Sequence, residues 1–274
     1  MNTLKNPYAH NLKQIYGLSL VCAVMMVALS LAGIIFQHSI YVTEELRRTF
    51  LANDVVNLVV GLPMLVFSMG LAWRGRLIGL LLWPGALFYI VYNYIAYTFA
   101  LWPAVWSFLY ILLAVLSVYS ITVLFSRLDS SVIRQQLDGQ MLERWVAGVL
   151  VGLGVLFFLR GAGIVVNDLT SQELLSRVGL STTIADLLTT PVWVIGGIQL
   201  WRRWLFGYVS GLGLLFQAST LFIGLILFMI LQPFLTSAPF VLSDVLVIFA
   251  MGLICFIPFG LAVCKAVRSD WIVG

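Results

Sequence analysis

The amino-acid sequence predicts an all-α polytopic membrane bundle, with eight transmembrane helices arranged as two parallel four-helix repeats. Three observations lead there. Of 274 residues, 62% are hydrophobic and 9% charged, with a mean hydropathy of +1.06, whereas soluble domains carry about 25% charged residues. No water-soluble fold of this size hides so much apolar surface, so soluble enzymes, disordered chains and disulfide scaffolds are excluded. Next, eight stretches come close to or exceed the ~20 apolar residues that cross a bilayer as a helix. Membrane strands would alternate apolar and polar residues over about ten positions, and these runs do not alternate. Finally, residues that are scarce in this chain recur at a spacing of 128 to 130 positions.

The first stretch, 15–37, follows the polar tail MNTLKNPYAHNLKQ. It is longer than the about 7–15 residues of a signal-peptide core and lacks a small-residue cleavage site, so it reads as a retained span. Residues 43–48 (TEELRR) are amphipathic, with Glu44 and Arg48 four apart, and predict a short interfacial helix before the second stretch, 53–73. The third and fourth stretches, 77–100 and 104–125, are separated only by Leu101, Trp102 and Pro103, which forces antiparallel neighbours. The polar loop 126–144 mixes Arg127, Asp129, Arg134, Asp138, Glu143 and Arg144 and reads as a solvated linker between two halves, 1–125 and 145–274. The fifth stretch is 145–166. After it, Thr170 and Glu173 have capping-box spacing and Glu173 stands four before Arg177, predicting a second interfacial helix. The sixth and seventh, 184–201 and 205–231, are divided by Arg202 and Arg203, and the eighth is 240–264.

The recurrence runs along both halves. Pro63 stands ten before Trp73, as Pro191 does before Trp201; Gly79 matches Gly207, Glu44 and Arg48 match Glu173 and Arg177, and Leu101 and Pro103 match Leu231 and Pro233. Four spans per half is an even number, so the halves share an orientation and are related by an axis along the membrane normal. Gly75/Gly79, Gly148/Gly152 and Gly207/Gly211 have the small-residue spacing of close helix packing. Pro63, Pro84, Pro191 and Pro258 interrupt helical runs and predict kinks.

Topology follows from the basic residues. Eleven of the 15, from Lys5 and Lys13 to Lys265 and Arg268, fall on the side of the termini; Arg47, Arg48 and Arg177 lie opposite and Arg160 lies within the fifth span. By the positive-inside rule both termini are cytoplasmic. The net charge of +4 is thus a topology signal rather than a nucleic-acid footprint. Cys22, Cys255 and Cys264 sit in apolar stretches, and His10 and His38 lie on opposite sides. No phosphate loop, nucleophile elbow or metal-ligand spacing is present, and the residues imply neither a cofactor nor a metal.

Four charged residues lie where hydrocarbon is expected: Asp54, Arg160, Asp186 and Asp244. Each needs a physical reason. Counted along their spans, all four fall in the outer third. Asp54 is nine before Pro63 and Asp186 five before Pro191; the difference of about one helical turn puts both carboxyls on nearly one face. Asn53 and Asn57, then Tyr89, Asn93 and Tyr97 at intervals of four, add polarity at that depth. One reading is a clasp, in which Arg160 pairs with one or two aspartates and Tyr89, Tyr92 and Tyr97 belong to an aromatic belt. The other is an outward-facing polar cavity, lined by Asp54, Asn57, Asn93, Arg160 and Asp186, that binds a small polar or anionic ligand or a lipid headgroup.

The segments NDVVNLVVGLP (53–63), RGRLIGLLLWPGALFYIVYNYIAYTFA (74–100), WVIGGIQLWRR (193–203) and MGLICFIPF (251–259) resemble a group of uncharacterised prokaryotic multi-pass membrane proteins. The resemblance spans roughly 41–264 and implies a prokaryotic cytoplasmic membrane and no activity. Three function classes remain: a transporter or ligand-binding membrane protein, a non-catalytic scaffold or partner subunit, and an enzyme acting on a lipid headgroup. The transporter reading rests on the duplication, the prolines and the outer charges. The enzyme reading would use Asp54 and Asp186 as acid and base with Arg160 holding an anion, without the histidine or metal usual for such chemistry.

Overall fold

The computed structural model describes residues 8–139, 143–171 and 176–272. They form eleven helices and no strand: α1 (Lys13–Ile35), α2 (Gln37–Ile40), α3 (Glu44–Val56), α4 (Leu62–Trp73), α5 (Leu77–Leu101), α6 (Val105–Arg127), α7 (Ser130–Leu137), α8 (Glu143–Ser171), α9 (Arg177–Trp201), α10 (Leu205–Leu235) and α11 (Leu242–Ile272). Eight helical stretches are long and apolar enough to cross a membrane. The chain is a multi-pass membrane bundle, and the eight apolar stretches of the sequence are its spans.

The second span differs most from expectation. Residues 43–48 do not form a separate interfacial helix; they begin the span itself. Thr43 caps α3 by accepting from the Leu46 amide at 3.3 Å, and the helix then runs without a break through a π turn, Asn57–Gly61, into α4. The π turn directly precedes Pro63, which has no N–H to donate and whose ring crowds the preceding turn. Widening that turn, so that the Leu62 amide bonds the Asn57 carbonyl, makes room without ending the helix. The Glu44–Arg48 pair forms at 3.0 Å. Glu173, and with it the second pair and the Thr170 capping box, lies outside the described residues. Pro191, unlike Pro63, sits inside an unbroken α-helix, and Pro233 lies within α10 whereas Pro103 lies in the turn after α5.

At the centre lie α5 and α10, packed against each other and against α9, with α4 and α6 also on α5 and α11 on α10. Their backbones touch. A Cβ on Gly85 would fall on the Gly213 carbonyl oxygen, and a Cβ on Gly213 would meet the Leu81 carbonyl at 2.7 Å. With lipid as the alternative solvent, apolar side chains gain little by meeting each other, so association draws on close approach of this kind and on interhelical hydrogen bonds. Gly154, Gly161 and Gly197 hold α8 against α9 in the same way, facing Val194, Leu187 and Val151. Gly148 and Gly152 do not: Gly152 has nothing within 4 Å, and Gly148 only the edge of Trp201 at 3.9 Å.

Two tight turns share one design 128 positions apart. In the first, the Arg74 amide bonds the Gly70 carbonyl, Gly75 bonds Ala72, Arg76 bonds Leu71 and Gly79 bonds Arg76. In the second, Arg202 bonds Ile198, Arg203 bonds Leu200, Trp204 bonds Gln199 and Gly207 bonds Trp204. Gly75 (φ 76°) and Arg203 (φ 55°) both take the left-handed conformation that reverses the chain. Glycine does so without penalty; Arg203 is held there by its pair with buried Glu143 at 3.0 Å.

Among the described residues of the connection 126–144, Ser130–Leu137 form a helix rather than a loop. Within it α7 turns Ile133 and Leu137 inward and packs on α10 and α11. Glu143 accepts from the Tyr208 hydroxyl at 2.8 Å, and the same hydroxyl reaches Asp138 at 2.9 Å. Asp129 caps α7. Hydrogen bonds from the Ser131 hydroxyl and the Val132 amide hold its exposed carboxyl below the ordinary range. A carboxyl so lowered stabilises the folded form at any pH above the ordinary carboxylate range and ceases to do so as pH falls through its own, lower value. Amide exchange across 130–137, corrected for intrinsic rates, is therefore expected to quicken on acidification from pH 6 to pH 3. Asp129→Ala should show the faster exchange already at pH 6. Equal exchange in parent and variant at both pH values would remove the cap from this account.

Candidate functional site

The polar residues of the far half, the side of the 102–104 turn, form two assemblies that meet at Tyr89. The first is closed. Asp54 is 1% exposed, and its oxygens accept from the Tyr41 hydroxyl at 2.6 Å and the Tyr97 hydroxyl at 2.8 Å. Gly33 on α1 makes the slot: a Cβ there would collide with the Asp54 carboxyl and the Tyr41 hydroxyl. Asn57 joins through Tyr97 at 3.5 Å and accepts from the Tyr89 hydroxyl at 3.3 Å. Among the described residues no cation pairs with Asp54.

The second assembly is a cavity of about 450 Å³ bounded by α3, α5, α9 and α10, with Phe157 of α8. Its polar wall carries Asn53, Asn93, Tyr89, Tyr92, Asp186 and Gln232; its apolar wall is built from Phe50, Phe157, Trp193, Phe222 and Phe228. The volume and the mainly apolar lining with a few placed polar groups are those of small-molecule sites. Asp186, 7% exposed, accepts from the Tyr92 hydroxyl at 3.0 Å and meets Arg160 Nη1 at 3.4 Å. The Asn53 amide donates to Asn93 at 3.2 Å, and Asn93 to the Tyr89 carbonyl at 3.0 Å.

Of the five sequence-derived residues, Asn93 and Asp186 line the cavity, while Asp54, Asn57 and Arg160 do not. Arg160 approaches Asp186 from outside the wall, with 61% of its side chain exposed. Asp244 stands apart, exposed at the start of α11 beside Ser243. The charges do not share an azimuth. Asp54 meets α5 at Tyr97 and Asp186 meets it at Tyr92; five residues on a helix are about 140° apart. The π turn between Asp54 and Pro63 also changes the rotation along that stretch, so counting back from the proline does not transfer a face to Asp186.

Sequence reasoning passed over Trp193, Phe157, Phe222 and Gln232. With 9 Trp and 18 Phe in the chain, a wall aromatic carries no signal of its own; Gln232, an amide in an apolar run, did. Comparison with protein-family models, with curated proteins and with solved structures returns no match. The functional reading therefore rests on the site.

Proposed function

We propose that this protein is a transporter or small-ligand binding protein of a prokaryotic cytoplasmic membrane, with both termini cytoplasmic, that takes its ligand in the cavity between two halves of parallel, duplicated architecture. One observation carries the reading: the cavity draws its wall from both halves, at positions the proposed duplication relates. Thr49 and Val178, and Asn53 and Thr182, stand 129 apart, the spacing of Arg48 and Arg177; Asn93 and Leu221, and Ala96 and Gly224, stand 128 apart, the spacing of Gly79 and Gly207; all eight line it. Transporters built from repeats keep their site at the repeat interface. Support for the duplication comes from the matching turns at 74–76 and 202–204 and from the contact of Gly85 with Gly213, also 128 apart. That contact closes the bundle on the near side of the cavity, so passage across the membrane requires α5 and α10 to part there.

The scaffold reading keeps one specific support, the Asp54–tyrosine cluster, which is closed and suits a structural role. The enzyme reading has less: Asp54 and Asp186 belong to different assemblies, so no acid–base pair faces a common reacting atom.

Gly224 provides the test. A Cβ there comes to 3.3 Å from Val56 and 3.5 Å from the Tyr89 hydroxyl, a contact that small adjustments absorb, and because Gly224 and Tyr89 both line the cavity, a longer side chain is expected to take space from it. Purified protein in detergent is to be screened by thermal shift against small aromatic amines, carboxylates, sulfonates and neutral alcohols. A compound at a hundred times its Kd adds about 2.7 kcal/mol of stability, a rise of several degrees in Tm. At least one compound is expected to stabilise the parent and leave Gly224→Leu unmoved. If every stabilising compound acts equally on both proteins, or none acts, the cavity is not a ligand site.

A further inference from the structure

Resting on that reading of the cavity, the wall also specifies a ligand charge. Its polar hydrogens are turned into the protein: the Tyr92 hydroxyl toward Asp186, the Tyr89 hydroxyl toward Asn57, Trp193 Nε1 toward Gln217 at 2.6 Å, and Gln232 Nε2 toward the Arg48 carbonyl. Asn93 and Thr190 donate to the carbonyls of Tyr89 and Asp186. An anion would find few donors to replace its hydration. Among the described lining residues none is Lys, Arg or His, and the one formal charge is the Asp186 carboxylate. Aromatic side chains line the rest of the cavity, and the negative faces of such rings attract a cation at short range, most strongly once water is excluded. We propose that the cavity takes a small organic ammonium ion, its charge at Asp186 and its apolar part among the aromatic rings.

Arg160 is the resting counter-ion. It touches Asp186 through a single nitrogen at 3.4 Å with most of its side chain exposed, so an entering ammonium displaces it outward without disturbing the wall. Burial of a carboxylate without any cation is costly, and the exchange keeps Asp186 paired in both states.

Three probes of matched shape separate charge from fit: benzyltrimethylammonium, neopentylbenzene and phenylmethanesulfonate, each measured on the full chain in detergent as binding lost in Gly224→Leu. The ammonium is expected to bind at least tenfold tighter than either companion. Asp186→Asn should weaken it at least tenfold while sparing neopentylbenzene. Arg160→Gln should tighten it, which keeps the test alive should Asp186→Asn fail to fold. Equal or tighter Gly224-sensitive binding of the sulfonate or the hydrocarbon overturns the ammonium assignment and leaves the ligand site standing. So does ammonium binding indifferent to both Asp186→Asn and Arg160→Gln. Absence of Gly224-sensitive binding by all three overturns the assignment, and the wider screen then decides whether the ligand site falls with it.

Discussion

Gly85→Leu is expected to cost the bundle its fold: no monodisperse peak in size-exclusion chromatography, or a Tm far below the parent. The added side chain begins where the Gly213 carbonyl oxygen already sits, and that atom belongs to the backbone of the other central helix, α10, around a glycine that is itself buried. Overpacking a core by movable side chains costs about 1–3 kcal/mol; a backbone obstacle puts this change at or beyond the upper end. Even Gly85→Ala should lower Tm, because the overlap begins at Cβ. Gly213→Ala should do likewise, since its Cβ meets the Leu81 carbonyl at 2.7 Å and the Gly85 amide at 3.2 Å. Gly17→Ala and Gly70→Ala are the controls. Both glycines are helical with nothing within 4 Å of the added atom, so these changes should be neutral or slightly stabilising, by up to about 1 kcal/mol. A Gly85→Leu protein with the parent's Tm would mean that α5 and α10 do not meet at this point. The same contact bears on transport: if α5 and α10 part during the cycle, a Gly85→Ala protein that still folds should favour the parted form, and cavity ligands should lose affinity for it.

What the sequence discloses and what it hides follow from different physics. The spans are legible because hydrocarbon thickness fixes their length and excludes charge, so Leu77–Leu101 and Leu205–Leu235 are visible in composition alone. Their ends are less so: α9 begins at Arg177 and α3 at Glu44, each several polar residues before its apolar stretch, since a helix continues into the interface wherever its backbone bonds are met. The helix α7 is hidden for the opposite reason, its inward face being only a turn or two long, with Ile133 and Leu137 its buried contacts. For the site, depth is readable and azimuth is not. Counting 1.5 Å per residue put Asp54, Arg160 and Asp186 at one level, but which neighbour each faces depends on helix rotation, and a single π turn before Pro63 is enough to change it. Asn93 and Asp186 were legible as cavity residues because polar groups are rare at that depth; the aromatic wall was not, because rings are common everywhere in this chain.

Asp54 is where removing one side chain should have the next largest consequence. Asp54→Leu takes away the acceptor of two buried hydroxyls, Tyr41 and Tyr97, in a place water does not reach; Tyr97 keeps the longer bond to the Phe50 carbonyl, and leaving a buried polar group unsatisfied costs about 1–3 kcal/mol. The leucine is also branched where the slot is narrow, since Gly33 is glycine to let the carboxyl in. A loss of about 3–5 kcal/mol, seen as a large fall in Tm in detergent, is the expected result. Asp54→Asn keeps one carbonyl acceptor and the shape, so its loss should be no more than about half as great. Tyr97→Phe removes a hydroxyl that also reaches the Phe50 carbonyl at 3.3 Å and should cost about 1 kcal/mol. Combined with Asp54→Leu it should cost less than the sum, because the Tyr97–Asp54 bond is already lost in the leucine variant; interaction energies within such networks run to about 0.5–3 kcal/mol. Strict additivity would show that Tyr97 and Asp54 do not act as a pair. Gly33→Ala offers an independent route to the same loss, since its methyl group occupies the carboxyl's position from the α1 side. Because Asp54 lies outside the cavity wall, a folded Asp54→Asn protein should keep the parent's Gly224-sensitive affinity for benzyltrimethylammonium, which Asp186→Asn weakens at least tenfold. That contrast separates a carboxyl that holds helices together from one that meets a ligand.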